Sequence, residues 1–181
     1  MSNNLLKGKR GIIFGALDSK SIAWKVAEHC KEQGAEFVLT NAPIAMRMGT
    51  INELAEKTNS TIIPADATSV EDIDNLITKS IETLGGKIDF ILHSIGMSVN
   101  VRKGRHYTDQ NYDFTVKGFD GFFKYAEQIS PLGNASADDC AKYCVSLFSD
   151  LTQSVTMQNL FHDGGFSNTG VSEEVLDNFL K

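Results

Sequence analysis

The stretch GIIFGALDSKSIAWKVAEHCKEQGAEFVLT, residues 11–40, decides the fold of this chain. It opens with a short apolar run, and a loop follows at Gly15. Residues 21–33 predict a helix, because apolar side chains recur every four positions and share one face, and Gly34 stands where helices end. A second apolar run over 36–40 completes a strand–helix–strand unit.

The same alternation continues downstream. Helices are predicted over 50–57 and from Ser69, where Asp72 completes a capping box. Strands are predicted over 61–65 and 88–95, and the second of these is nearly all apolar, as in a strand that is buried on both faces. Short strands that alternate with helices pair in parallel through right-handed crossovers. The predicted fold class is therefore α/β, a Rossmann-type doubly wound parallel sheet.

Composition narrows the class of protein. The 181 residues predict a single domain, 1–181, and the formal net charge of -6 argues against nucleic acid as a partner, because phosphate backbones require a basic face. We find no apolar run long enough for a signal peptide or a membrane helix, so we expect no membrane association. The three cysteines lack the spacing of a metal site, and we interpret them as buried thiols of a cytoplasmic protein.

The strand–helix rhythm fails after the fourth predicted strand. Residues 97–115 are polar, residues 117–130 are rich in aromatic side chains, and a capped helix is predicted from 136 to 148. A last short strand is predicted over 157–161. The aromatic stretch has two interpretations of equal weight, a surface helix with its phenylalanines in the core or a segment beside a bound substrate.

The loop at Gly15 has the physical features of an anion site. The first-turn amides of the helix behind it lack intrahelical partners, and the helix dipole favours negative charge there. A glycine also lets the backbone come close to a pyrophosphate. Because Gly15 is the one glycine present of the usual G-x-G-x-x-G pattern, an ordinary strand-to-helix turn stays open as an interpretation.

Four segments resemble a known family in order and spacing. They are Gly15 with Ser21-Ile22-Ala23, Asp66-Ala67, His93-Ser94-Ile95-Gly96, and Phe161-His162-Asp163-Gly164-Gly165-Phe166-Ser167. Together they resemble the enoyl-(acyl-carrier-protein) reductases, a divergent branch of the short-chain dehydrogenase/reductase superfamily. The resemblance covers nearly all of residues 5–112 and continues over 117–170.

The resemblance implies a nicotinamide cofactor. Asp66 would accept a hydrogen bond from the adenine amino group, although an aspartate after a strand is also a common turn former. Asn41, at the end of the second strand, is expected near the adenosine ribose. No acidic residue stands there to hold the ribose hydroxyls, and Arg47 lies close enough in sequence to meet a 2′-phosphate. Because the family that the chain resembles tolerates both situations, NADH is predicted, with NADPH as the open alternative. The cofactor-binding residues implied are Gly15, Ser21, Ile22, Asn41, Asp66, Ala67, Ser94, Ile95 and Gly96, with Met97 and Ser98 bordering the acyl pocket and no metal.

The function that the resemblance implies belongs to fatty acid biosynthesis. It is the NADH-dependent reduction of the trans-2 double bond of an enoyl group on acyl carrier protein, by a cytoplasmic homotetramer. The alternatives are a catalytically inert cofactor-binding paralogue, a truncated short-chain reductase, or a short-chain reductase with a different substrate. The segment His93 to Gly96 argues against the last of these, because the wider superfamily carries an asparagine motif at that strand end.

The residues that would perform this chemistry are missing from the sequence. The family uses a tyrosine and a lysine seven positions apart, two turns along one helix. No lysine stands seven positions after any of the four tyrosines, so no catalytic residue is assigned; the residues found there are Phe114, Phe119, Leu132 and Asp150. We also find no fifth and sixth strand between residues 96 and 156, a gap that a compact sheet cannot leave empty. We interpret this as an omission, or else an internal deletion, near 114–118, with the omission favoured.

Overall fold

We describe the protein from a computed structural model, which covers residues 3–47, 49–95, 119–170 and 172–177. The chain divides into two compact units, the first formed by residues 1–96 and 137–156 and the second by residues 97–136 and 157–181. The predicted break near 114–118 lies outside the described residues, so both the break and the single domain stay predictions. None of the helices in the described parts of the chain is both long and apolar enough to span a lipid bilayer.

Strands and helices alternate through the first unit. In chain order the elements are β1 (Arg10–Phe14), α1 (Ile22–Glu32), β2 (Glu36–Thr40), α2 (Pro43–Met46), α3 (Ile51–Thr58), β3 (Thr61–Ile62), α4 (Val70–Leu84), β4 (Phe90–His93), α5 (Phe119–Ile129), α6 (Ala137–Phe148) and α7 (Glu173–Asp177). All four strands are parallel, in the order β3-β2-β1-β4, so β1 lies between β2 and β4. This arrangement confirms the predicted α/β doubly wound sheet.

The sheet is covered by helices on both faces, and each face has its own core. On one face Ile13 and Leu39, both fully buried, pack with the apolar sides of α1, α3 and α6. On the other face Ile12 and Val38 pack with Leu76 of α4. Full burial of one such side chain contributes about 1.5–3 kcal/mol, so the two cores hold β1 and β2 rigidly in the centre of the sheet.

The helix α6 joins the first unit although it lies far along the chain. It packs against α1, with Ala141 and Val145 buried in the contact. Polar contacts add to this apolar contact: His29 Nε2 lies 2.6 Å from Asp138 Oδ1, and Lys142 Nζ lies 2.6 Å from the second oxygen of the same carboxylate. The predicted helix from 136 to 148 is therefore confirmed, and it covers the α1 side of the sheet.

The prediction that the fourth strand is buried on both faces is wrong. β4 spans four residues of the predicted 88–95, and Ile91 is 52 % exposed. Ile91 lies beside Ile12 on the α4 face of the sheet, where α4 itself leaves Ile77 and Ile81 partly exposed. These three isoleucines are only partly covered, and β4 is an edge strand of the four-stranded sheet in the described residues.

Two other strand predictions need correction. The strand predicted over 61–65 spans only two residues, Thr61 and Ile62, because Pro64 has no N–H to donate. The N–H groups on either side of Pro64, those of Ile63 and Ala65, still donate to carbonyl groups of β2 and of Asn41. The strand predicted over 157–161 does not form: this segment is irregular and mostly exposed. A strand requires a hydrogen-bonded neighbour, and no neighbour for it exists among the described residues.

The second unit has its own contacts. Phe122 of α5 meets Phe166 edge-on, with ring centroids 5.5 Å apart, and the Leu132 N–H donates to the Gly164 carbonyl at 3.1 Å. Phe122 and Phe123 are both about half exposed, at 56 % and 47 %. The aromatic stretch therefore forms a helix, as in the first of the two interpretations, but Phe122 and Phe123 are not core residues as that interpretation required.

Candidate dinucleotide-binding site

The carboxyl ends of β1 and β4 meet at the point where the sheet changes winding direction. From β1 the chain crosses through α1 to β2 on one side, whereas β4 lies on the other side of β1. Open parallel sheets bind ligands in the crevice at such a switch point. The first residue after β1 is Gly15, and the first residue after β4 is Ser94.

The backbone at Gly15 lies against the backbone at Ser94. Gly15 has a φ of 93°, a conformation that favours glycine, and a Cβ at this position would overlap the Ser94 carbonyl oxygen. Its N–H donates to the Thr40 carbonyl at 3.2 Å, which ties it to the end of β2. Only glycine can therefore occupy this junction without moving β1, β2 and β4 apart.

Ser21 braces the loop that follows Gly15. Its hydroxyl donates to the Asp18 carbonyl at 2.8 Å and accepts from the Leu17 N–H at 3.3 Å. It is the residue before α1 but does not cap that helix with its side chain. The Ser21 side chain therefore accepts no hydrogen bond from the first-turn N–H groups of α1, which begins at Ile22.

The electrostatics of α1 favour an anion at that end. The first turn of α1 contains no acidic residue, whereas His29 and Lys31 stand in its last turn. Charges so placed complement the helix dipole, and an added anion at the first turn meets no carboxylate from the helix itself. The loop and helix together can hold a phosphate group.

Asn41 lies at the end of β2, as expected for a residue near an adenosine ribose, but its side chain is already engaged. It is 9 % exposed; its Nδ2 donates to the Ala16 carbonyl at 3.4 Å, and its Oδ1 accepts from the Ala42 N–H at 3.0 Å. Arg47, the other residue considered near the ribose, is exposed at the end of α2.

Asp66 and Ala67 lie in an exposed turn between β3 and α4. One Asp66 oxygen, Oδ1, accepts from the N–H and the hydroxyl of Thr68 at 2.9 and 2.8 Å, so the residue does form a turn. These two hydrogen bonds lower the pKa of the Asp66 carboxyl below its usual range. The second oxygen, Oδ2, accepts no hydrogen bond within the described residues and can accept one from a ligand.

The predicted cofactor residues follow one edge of the sheet. Ser94 touches Gly15, Gly15 bonds to the end of β2, and the Asn41 carbonyl accepts from the Ala65 N–H at 3.2 Å, next to Asp66. Ile95 follows at 40 % exposure. The remaining predicted site residues, Gly96, Met97 and Ser98, lie outside the described residues.

Sequence reasoning missed Gly49, which lies against the same loop. A Cβ on Gly49 would overlap the Leu17 carbonyl oxygen, and the next residue, Thr50, donates its N–H to that oxygen at 3.0 Å. The only signal in the sequence was a glycine just before a predicted helix, which has no specific meaning without the tertiary contact.

Of the three cysteines that were interpreted as buried thiols, Cys30 is buried, whereas Cys140 and Cys144 are half-buried. Burial raises the pKa of Cys30 to about 12 and that of Cys144 to about 11, so both are protonated at neutral pH. The described residues contain no disulfide and no group of three His, Cys, Asp or Glu side chains that could hold a metal ion.

Comparison with known proteins places these features in a family context. A family model described as enoyl-(acyl carrier protein) reductase matches residues 15–115 and 107–167. The enoyl-(acyl-carrier-protein) reductase (NADH) 2 of Rhizobium meliloti is 36% identical over 112 residues, which are 61% of this chain and 41% of that protein. The corresponding FabI reductase (NADH) of Rickettsia felis is 28% identical over 167 residues, 91% of this chain and 54% of that protein.

A solved structure shares the same architecture. The crystal structure of a FabI–NADH complex from Alistipes finegoldii superposes with a TM-score of 0.85 at 42% sequence identity, covering 95% of this chain and 92% of that chain. The chain nevertheless spans only about half, or less, of the length of the curated relatives named above.

Proposed function

Because the chain belongs to the enoyl-(acyl-carrier-protein) reductase family, we propose that it binds NADH and serves the reduction of the trans-2 double bond of enoyl groups on acyl carrier protein, in fatty acid biosynthesis. The observation that carries this proposal is the contact between Gly15 and Ser94 at the switch point of the sheet. The relatives that are named for this activity are longer than the chain, so activity and substrate belong to the proposal.

The loop after β1 fits the pyrophosphate of a dinucleotide. Gly15 leaves the backbone bare at the crevice, Ser21 braces the loop without capping α1, and the first turn of α1 carries no acidic residue. A doubly charged pyrophosphate therefore meets the first-turn N–H groups of α1 and no carboxylate from that helix. We assign the pyrophosphate contact to Gly15, Ser21 and Ile22, and the nicotinamide side of the crevice to Ser94, Ile95 and Gly96.

The turn at Asp66 and Ala67 fits the adenine end. The lowered pKa keeps the Asp66 carboxyl ionised at neutral pH, and its free Oδ2 is a strong acceptor for an amino group. NADH is the cofactor in the Alistipes structure and in the names of the curated relatives, which supports NADH over NADPH.

NADH supplies the hydride in this chemistry, and the chain would bind and orient it. Reduction of an enoyl thioester also develops negative charge on the thioester oxygen, which needs a donor close by. The family's tyrosine and lysine pair, seven positions apart, does not occur after any tyrosine of this sequence. This observation favours a second candidate function, a protein that binds NADH without turning over the enoyl substrate.

The remaining assignments extend the same proposal. Met97 and Ser98 would border the acyl pocket, with acyl carrier protein delivering the substrate. We place the protein in the cytoplasm, where fatty acid synthesis enzymes typically work, and we propose a homotetramer as its assembly.

Two linked measurements test the proposal and separate its candidates. Titration of the protein into NADH, followed by NADH fluorescence, should show saturable binding. The loss of NADH absorbance with a crotonyl thioester then reports turnover. Binding with turnover supports the reductase; binding without turnover supports the second candidate; no binding of NADH contradicts both.

A further inference from the structure

Two neighbouring carbonyl groups of the cofactor loop are held from outside the loop. The Ala16 carbonyl accepts from Asn41 Nδ2 at 3.4 Å, and the Leu17 carbonyl accepts from the Thr50 N–H at 3.0 Å. The first donor, Asn41, follows β2, and the second donor, Thr50, immediately precedes α3. The loop between β1 and α1 is thus fixed by two segments that lie further along the chain and are not adjacent to it in sequence.

Gly49 allows the second of these contacts. A Cβ at Gly49 would overlap the Leu17 carbonyl oxygen and would come within 2.8 Å of Leu17 Cδ1. Since the first clash is with backbone, a rotamer change of Leu17 cannot relieve it, and the loop or α3 would have to shift. Glycine at this position is therefore required for the Thr50–Leu17 hydrogen bond.

Fixing a carbonyl also fixes the N–H of the same peptide group. In a trans peptide the C=O and the following N–H point in opposite directions. With the Leu17 carbonyl bonded to Thr50 and the Asp18 carbonyl bonded to Ser21, the N–H groups of Asp18 and Ser19 point away from those partners. Neither N–H donates to an acceptor within the described parts of the chain, so both remain available to a ligand.

We infer that Asn41 and Gly49 are positioning residues of the cofactor loop and do not touch the cofactor. The inference rests on the proposed NADH site and assigns Asn41 a role different from ribose contact. Both polar atoms of the Asn41 side chain are used within the protein, by Ala16 and Ala42. Loss of either hydrogen bond, from Asn41 to Ala16 or from Thr50 to Leu17, lets the peptide groups of the loop rotate. The pyrophosphate of NADH is the ligand whose binding depends on the orientation of these groups.

The test compares Gly49→Ala and Asn41→Ala with the wild type and with Asn52→Ala. Asn52 is exposed on α3, three residues after Gly49 in the sequence, and is a nearby control asparagine that makes no hydrogen bond with the cofactor loop in the described residues. NADH and adenosine affinities are measured for each protein, with thermal unfolding to confirm the fold. Because hydrogen bonds to a charged group are lost, NADH affinity should fall about tenfold or more in both variants and stay unchanged in Asn52→Ala.

Adenosine separates positioning from direct contact, because it has the ribose and the base but no phosphate. Unchanged adenosine affinity with weakened NADH affinity supports the inference. Equal loss of both ligands in Asn41→Ala identifies Asn41 as a ribose contact and overturns it, as does wild-type NADH affinity in both variants. Should Gly49→Ala not fold, Asn41→Ala carries the comparison alone. Failure of the wild type to bind NADH refutes the proposed function itself, and with it this inference.

Discussion

Replacing Gly15 with alanine tests the junction on which the site depends. The φ of 93° costs an alanine about 1–2 kcal/mol, as for other left-handed conformations of residues with a Cβ. The new Cβ also overlaps the Ser94 carbonyl, and such overpacking costs about 1–3 kcal/mol more. The free energy of unfolding of Gly15→Ala should therefore fall by about 2–5 kcal/mol.

Gly8→Ala is the matched control for this change. Gly8 has a φ of 78°, and a Cβ there meets nothing within 4 Å, so this variant carries the backbone cost without the overlap. It should lose about 1–2 kcal/mol in the same urea titration and keep the NADH affinity of the wild type. Equal unfolding free energies and equal NADH affinities for the two variants would refute the close contact between Gly15 and Ser94.

Three further predictions concern single side chains. Although burial opposes it, hydrogen bonds from Lys57, Lys25 and Trp24 lower the pKa of Glu28 to about 2. Glu28→Gln should therefore reduce the free energy of unfolding by about 1 kcal/mol at neutral pH, and this deficit should shrink from about pH 4 to pH 2, as acid protonates the wild-type carboxylate. A deficit that does not change with pH would contradict this prediction. Cys30, whose pKa burial raises to about 12, should resist alkylation in the native state at neutral pH and react once urea unfolds the chain, as peptide mass mapping of the alkylated sites would show. Asp66→Ala removes the proposed adenine acceptor and the Thr68 turn, so NADH affinity should fall about tenfold by fluorescence titration, and an unchanged affinity would place adenine elsewhere.

Features of the fold that depend on neighbouring residues were predictable from the sequence. Ser69 accepts the Asp72 N–H at 3.2 Å, as the capping box predicts, and Gly34 after α1 has a φ of 88°, as a helix-ending glycine requires. The alternation of strands and helices similarly predicted the parallel sheet, because short connections leave few other topologies.

Features that depend on distant parts of the chain were not predictable in the same way. The apolar composition of β4 predicts burial on both faces, but Ile91 is exposed, since the burial of a strand is decided by what packs over it. Residues 157–161 have a strand-like composition and no neighbouring strand among the described residues, so no strand forms. Asn41 lies at the end of β2, as expected. Its hydrogen bond to the Ala16 carbonyl was not predictable, because it depends on where the loop after β1 turns.

The residues that form the site were predictable from the sequence, whereas the residues that hold the loop in place were not. Gly15, Ser21 and Ser94 were identified by their family resemblance, and the structure brings the first and the last of them into contact. The bracing contacts from Gly49 and Thr50 come from a segment about thirty residues further along the chain, and a single sequence holds no pairing signal for them.

The measurement that tests the central claim most directly is amide chemical-shift mapping during an NADH titration. The account predicts the largest shifts in the loop from Gly15 to Ser21, in the first turn of α1 and at Ser94, with little change along α6 on the far side of α1. NADH binding with shifts confined to other parts of the chain, or no binding of NADH at all, would contradict the assignment of the β1–β4 crevice as the cofactor site.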